Sequence, residues 1–147
     1  RNPRIHIPII GNGDIRTRED VDRAFGEYGV DAVMVGRATF GAPWIFQEIA
    51  PHRPQSIPEP QGSPTRSLSP LTTDQKIDLL LELLRINVER IDERRGIIHT
   101  RRHLASTPIF KGIPDFRQTR IAMLRAETVD ELTAIIEQAR EILHEER

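Results

Sequence analysis

Apolar residues recur along the chain with two different spacings, and the change falls near residue 50. In the first part, two short apolar runs, Pro8–Ile10 and Ala32–Val35, are each followed at once by a glycine. Between them, after the N-cap residue Thr17, apolar side chains recur at helical spacing: Val21, Ala24, Phe25 and Tyr28. Short apolar strands on either side of a helix predict a parallel βαβ unit whose strands are buried on both faces.

From residue 71 onwards the spacing is helical throughout. Thr72 and Gln75 form a capping-box signature, and we expect the helix to run to about Arg95, with Gly96 ending it. Its apolar stripe consists of Ile77, Leu80, Leu81, Leu84, Val88 and Ile91. This spacing is typical of a helix that buries one face.

Three more helices follow in the predicted C-terminal part. We expect them over about 97–107, over about 115–126, and from a second capping box at Thr128 and Glu131 through Leu143. Pro108, Gly112 and Pro114 interrupt the pattern between the first two of these helices. Four helices with complementary apolar stripes predict a small all-α bundle.

Proline separates the two parts. Six of the eleven prolines lie between Pro51 and Pro70, among serine, glutamine and glycine, which is typical of an extended linker. We therefore divide the chain into residues 1–50, a linker at 51–70, and a helical domain at 71–147.

Composition narrows the function classes. The chain has 147 residues and no cysteine, which excludes disulfides, thiolate metal ligands and a cysteine nucleophile or acid within it. No apolar run approaches the ~20 residues of a membrane helix, and the first residues lack the core of a signal peptide. We expect a cytoplasmic protein that does not span a membrane.

The net charge of −1 conceals a strong local excess of positive charge. Residues 85–126 carry ten basic and four acidic side chains, whereas the segments on either side are acidic. Such an excess attracts polyanions, although a solvated helix face is an alternative explanation.

The most informative stretches are IIGNGDI, from Ile9 to Ile15, and VMVGRATFGAPWIF, from Val33 to Phe46. Each places glycine directly after a strand, where backbone N–H groups can approach an anion closely. In the second stretch Gly36 and Gly41 flank Arg37, which we expect to be buried, and Pro43 is expected to begin a short helix. These features predict a phosphate-binding site, the alternative being two ordinary strand-to-helix turns.

These two stretches, together with the RRH of Arg101–His103, resemble the C-terminal half of the tRNA-dihydrouridine synthases, flavoenzymes that reduce uridine in tRNA. The resemblance implies a (β/α)8 TIM barrel that holds FMN, followed by a helical domain that grips tRNA, with NADPH as the reductant. It implies that Asn12, Gly13 and Asp14 form one flavin-phosphate loop and that Gly36 and Arg37 form the other.

The chain also departs from that family. A complete barrel needs about 200 residues or more, and this chain offers only the last two strands. The family's catalytic cysteine, and a lysine that touches the flavin, belong to regions upstream of residue 1. We therefore expect a C-terminal piece that lacks the N-terminal barrel half of the same protein, carries no catalytic residue of its own and is inactive alone.

The basic segment fits the helical domain that the resemblance expects to hold tRNA. We predict RNA-phosphate contacts from these residues: Arg101, Arg102, His103, Lys111, Arg117 and Arg120. His99 and His103 share a helix face, but HTRRH lacks the glutamate of a zinc helix and no third ligand is evident, so we predict no metal site.

Two other functions stay open at this point. One is an FMN-dependent barrel enzyme that acts on a small molecule, which would use the same phosphate loops but would have no need of a basic helical domain. The other is a non-catalytic RNA-binding helical fragment.

Overall fold

The computed structural model describes residues 6–49 and 70–145, so the predicted linker lies almost entirely outside the described residues. The described elements are β1 (Ile10–Asn12), α1 (Arg18–Tyr28), β2 (Ala32–Met34), α2 (Ile45–Ile49), α3 (Thr73–Arg90), α4 (Glu93–Ser106), α5 (Phe116–Arg125) and α6 (Val129–Glu145). They form two compact units. Described residues up to Thr39, with those from Trp44 to Pro70, form the first unit, and Phe40–Pro43 with the residues from Leu71 onwards form the second.

The first unit is built on a parallel β1–α1–β2 arrangement, which confirms the predicted βαβ order. The two strands pair in parallel, with Ile10 opposite Ala32 and Asn12 opposite Met34. The predicted burial of both strands is wrong for the described residues, because Ile10 is 64% exposed and Met34 50% exposed. A two-stranded sheet has two open edges, and one helix covers only part of its surface.

Helix α1 begins at a reciprocal capping box. Thr17 Oγ1 accepts from the backbone N of Asp20, and the Asp20 carboxylate accepts from the backbone N of Thr17. Gly29 ends the helix with φ +60, which a residue without Cβ adopts easily. Of the predicted apolar stripe, Val21 and Ala24 are buried, whereas the last two members, Phe25 and Tyr28, are exposed.

The second unit packs four helices around one apolar core. Its fully buried side chains include Ile77, Leu80, Leu84, Ile97, Phe110, Met123, Leu132 and Ile136. Phe110 belongs to a 3₁₀ turn at Ile109–Gly112, between α4 and α5, where the proline and glycine interruptions predict a break. The predicted helices over 115–126 and from Thr128 onwards are confirmed to within two residues at each described end.

The boundary between α3 and α4 corrects the sequence prediction. Helix α3 ends at Arg90 rather than near Arg95, and Gly96, predicted to stop it, lies inside α4. A Cβ at Gly96 would approach the Cα and backbone N of Val88 to 2.7 Å, so the absent side chain permits the close crossing of α3 and α4. The glycine therefore serves packing between helices.

Helix α4 starts at the N-cap residue Asp92, which the sequence prediction had placed inside α3. Asp92 Oδ1 accepts from the backbone N of Arg95 at 2.8 Å, so the helix begins at Glu93 instead of about residue 97. Ile91, assigned to the apolar stripe of α3, lies outside both helices and is 38% exposed.

Candidate functional site

The loops that follow β1 and β2 lie at the same end of the sheet. Parallel pairing of Asn12 with Met34 fixes this, because both strands run in one direction and end together. The loops enclose a cleft of about 430 Å³. Its lining residues are Asn12, Gly13, Asp14, Ile15, Arg16, Met34, Gly36, Arg37 and Ala38. All five predicted cofactor-binding residues therefore line one cleft.

Charge in this cleft is concentrated on one carboxylate and two guanidinium groups. Arg37 Nη2 donates to Asp14 Oδ1 at 2.5 Å, and Arg16 Nη2 lies 3.8 Å from the same oxygen. The expectation of a buried Arg37 is wrong, since its side chain is 72% exposed and is held by Asp14. A guanidinium with this exposure keeps free N–H groups that can donate to a ligand.

The two glycines of the cleft have open space where a side chain would stand. A Cβ built at Gly13 meets nothing within 4 Å, and one at Gly36 meets only the Met34 methyl at 3.9 Å. Packing within the described chain therefore gives no reason for glycine at either position. Close approach of a ligand to the backbone is a physical reason that remains.

The start of α1 fixes the position of Arg16. Asp20 Oδ2 accepts from the backbone N of Arg16 and of Thr17, both at 3.0 Å. These two backbone N–H groups, that of Arg16 first, lower the pKa of Asp20 below its ordinary value. Sequence reasoning missed Arg16 as a site residue, although its position just before an N-cap residue was a usable signal.

Gly41, which the sequence places near Arg37 in the predicted phosphate-binding stretch, has a different role. It does not line the cleft, and its φ of +78 lies in the left-handed region that favours glycine. A Cβ there would come within 2.4 Å of the carbonyl carbon of Ser106 and the backbone N of Thr107. The residue thus permits contact between Phe40–Pro43 and the end of α4 within the second unit.

The residues after Gly41 also differ in part from prediction. The short helix starts at Ile45 rather than at Pro43 and has five residues. Trp44 is buried, whereas Phe46 is 55% exposed.

The RRH segment is used largely for contacts within the second unit. Arg101 Nη2 donates to the backbone carbonyl of Ala126 at 2.8 Å. The Arg102 guanidinium lies 5.2 Å from the centre of the Phe40 ring, and the His103 ring meets the same phenyl edge to face at 5.8 Å. Contacts of these three residues with RNA phosphate stay a prediction.

Four other cations of the second unit have no acidic partner among the described residues. In the part of the chain that the structure describes, no carboxylate lies within 4.0 Å of the exposed side chains of Lys111, Arg117, Arg120 and Arg125. Arg85 on α3 differs, because it pairs with Glu82 and Glu89 at 2.5 Å each. The positive charge of these four side chains is thus not neutralised by ion pairs within the described residues.

Two further features bear on the class of protein. Within residues 6–49 and 70–145, no three His, Cys, Asp or Glu side chains come together as a metal site requires. No helix in those ranges is long and apolar enough to cross a membrane.

Comparison with known proteins identifies the family of the chain. The family model described as "Dihydrouridine synthase (Dus)" matches residues 2–144. A probable tRNA-dihydrouridine synthase of Aquifex aeolicus is 30% identical over 135 residues, which cover 92% of this chain and 38% of that protein. The tRNA-dihydrouridine synthase B of Shewanella oneidensis is 29% identical over 133 residues, or 90% of this chain and 38% of the relative.

A third relative is more similar to the chain, but over a shorter stretch. The tRNA-dihydrouridine synthase B of Xanthomonas campestris is 50% identical over 46 residues, which cover 31% of this chain and 14% of that protein. The chain spans about 38% of the length of the first two relatives. Because the family model covers nearly all of its residues, the chain belongs to the dihydrouridine synthase family.

Proposed function

We propose that the protein containing this chain is an FMN-dependent tRNA-dihydrouridine synthase that reduces uridine to 5,6-dihydrouridine in tRNA. In this proposal residues 1–50 supply the last two strands of a TIM barrel and its FMN-phosphate loops. Residues 71–147 form the tRNA-facing helical domain beyond a linker at 51–70. The observation that carries the proposal is the single cleft in which both glycine loops meet beside two arginines.

The chemistry of the cleft fits a phosphate monoester. Gly13 and Gly36 leave open the space that a phosphate would need near the backbone. Arg16 and Arg37 bring positive charge, and the side-chain amide of Asn12 can donate a further hydrogen bond. Bound FMN would supply the hydride chemistry for the uracil ring, with NADPH as reductant.

The residues of this chain would then bind the cofactor and orient it. Arg37 and the two glycine loops would hold the phosphate end of the cofactor and so fix the position of the rest of it. The family resemblance implies a cysteine as proton donor to the reduced ring, and since this chain has no cysteine, that donor would lie outside it. The target uridine would have to leave its base stack to react.

A comparison of FMN with riboflavin tests the phosphate assignment, since the two flavins differ only in the phosphate. We expect the protein to bind FMN more tightly. Arg37→Ala should weaken FMN binding about tenfold, the lower end of about 1.5–3 kcal/mol for a charge-assisted contact, because Arg37 is exposed. Riboflavin affinity should not change.

The matched control is Arg85→Ala, which removes an arginine from α3 that is already paired with Glu82 and Glu89. It should leave the affinity for both flavins unchanged. Equal affinity of the parent protein for FMN and riboflavin would contradict the phosphate assignment.

The unpaired cations support tRNA over a small molecule as substrate, since a small-molecule flavoenzyme has no need of such a surface. Each phosphate neutralised by Lys or Arg releases counterions, so the logarithm of the affinity falls with the logarithm of salt concentration. The double substitution Arg117→Ala and Arg120→Ala should make that slope shallower by about 1 to 2. Arg85→Ala, in the paired cluster, should leave the slope unchanged. A tRNA affinity that does not depend on salt concentration would refute the assignment of tRNA as substrate.

A further inference from the structure

The charged groups of the cleft converge on a single oxygen atom. Asp14 Oδ1 accepts from Arg37 Nη2 at 2.5 Å, and Arg16 Nη2 is 3.8 Å away. Within the described residues, Asp14 is the acidic member of the cleft lining, and neither arginine has another carboxylate within 4.0 Å. One carboxylate therefore occupies the point at which both positive charges of the cleft meet.

The backbone of Asp14 also marks the position as unusual. Its φ of +41 lies in the left-handed region, which most residues other than glycine avoid and which aspartate and asparagine tolerate. The adjacent Gly13 leaves open space at its Cβ position. A charged side chain thus stands in a strained backbone conformation inside a cleft whose other features suit an anion.

We propose that Asp14 is an internal anion that competes with a bound phosphate for Arg16 and Arg37, and thereby sets the affinity of the cleft for phosphate monoesters. The inference rests on the proposed function in that the phosphate is taken to be that of FMN. A phosphate dianion that enters the cleft must displace Asp14 Oδ1 from Arg37 or share the guanidinium with it. The phosphate and the Asp14 carboxylate are both negative and repel each other when they share one guanidinium, so the carboxylate lowers the affinity of the cleft for phosphate.

The net charge of the cleft lining sets the direction in which removal of the Asp14 charge changes phosphate affinity, and the exposure of its side chains limits the size of that change. Two guanidiniums and one carboxylate give the lining a net charge of +1, and removal of the carboxylate charge gives +2. The side chains are more than half exposed, at 64% for Arg16, 72% for Arg37 and 58% for Asp14. Water and salt therefore screen the repulsion, and we expect the neutral variant to bind phosphate about three- to tenfold more tightly.

The test is Asp14→Asn, because asparagine removes the charge and still tolerates a positive φ. Asp22→Asn is the matched control. It makes the same change in net charge at a carboxylate on α1 that pairs with Arg18 at 3.8 Å and does not line the cleft. Inorganic phosphate is the first probe, with the ¹⁵N shift of the Arg37 side chain as readout. FMN and riboflavin affinities form the second measurement.

The proposal predicts tighter binding of inorganic phosphate and of FMN to the Asp14→Asn variant, unchanged riboflavin binding, and no effect of Asp22→Asn. The gain in phosphate affinity should shrink at high salt, since salt screens the repulsion between the carboxylate and the phosphate. Equal or weaker phosphate binding by Asp14→Asn, or no phosphate binding by either form, would overturn it. If phosphate binding tightens but no variant binds FMN, Asp14 keeps the assigned role and the flavin assignment fails.

Discussion

The crossing of α3 and α4 gives the most stringent test of the helical unit, because two opposing effects can be compared at Gly96. Replacing glycine by alanine inside a helix favours folding by about 1 kcal/mol. At this position, however, the new Cβ would lie 2.7 Å from the Cα and backbone N of Val88, about 0.7 Å short of ordinary van der Waals contact. Backbone atoms of a packed helix cannot rotate away as a side chain can, so the two helices must separate.

Separation of these helices disturbs the contacts around the crossing. Ile97 is buried beside the glycine, and Asn87 Nδ2 donates to the buried Thr100 Oγ1 at 3.1 Å. Overpacking of a close-packed core costs about 1–3 kcal/mol or more, and weakening of this part-buried hydrogen bond adds to it. The steric effect exceeds the propensity gain, so we expect Gly96→Ala to lower the free energy of unfolding by about 1–2 kcal/mol.

Urea denaturation followed by circular dichroism measures this change. In a unit of this size, about 1–2 kcal/mol corresponds to a fall in Tm of roughly 5–15 °C. Gly112→Ala is the control in the same unit, because a Cβ there meets nothing within 4 Å. It should be neutral or slightly stabilising. A Gly96→Ala variant as stable as its parent would refute the described close approach of the helices.

Two other predictions concern single residues. Gly41→Ala should reduce stability by more than Gly96→Ala, since it adds a strained φ of +78 to a 2.4 Å approach to Ser106, and the same urea titration checks this. The pKa of Asp20 is lowered, so its carboxylate contributes fully to stability above the ordinary value of 3.8 and loses that contribution as pH falls through the lower folded value. Asp20→Asn should therefore flatten the fall in Tm below about pH 4, and an unchanged acid profile would contradict the capping role.

Local signals in the sequence predicted most of the elements correctly. The N-cap at Thr17 and the capping box at Thr72 each depend on a residue three positions further on, and both are present in the structure. The parallel pairing of β1 with β2 followed from a strand, helix, strand order. These features are encoded by residues that are close in sequence, which is why pattern alone was sufficient.

The errors arose where contacts distant in sequence decide the outcome. Gly96 reads as a helix stop because glycine disfavours helix interiors, and only the approach of Val88 shows why it is tolerated there. Asp92 was an available N-cap signal that the misplaced helix end concealed. Arg37 was expected to be buried, yet its exposure depends on how the loops after β1 and β2 fold.

The candidate site was predictable in part. Glycines after two parallel strands indicated a common anion-binding edge, and the five predicted residues line one cleft. The pairing of Asp14 with Arg37 joins residues 23 positions apart and had no signature in either stretch alone. The contacts of the RRH segment to Phe40 and Ala126 join residues distant in sequence and likewise had no signature in the segment itself.

The most direct test of the account is the dihydrouridine content of tRNA from the source organism after deletion of the gene that encodes this chain. Mass spectrometry of the purified tRNA should show uridine in place of dihydrouridine at one or more positions, restored when the gene is returned. Restoration should be impaired by Arg37→Ala and should be complete with Arg85→Ala. Unchanged dihydrouridine in the deletion strain would contradict the proposed function.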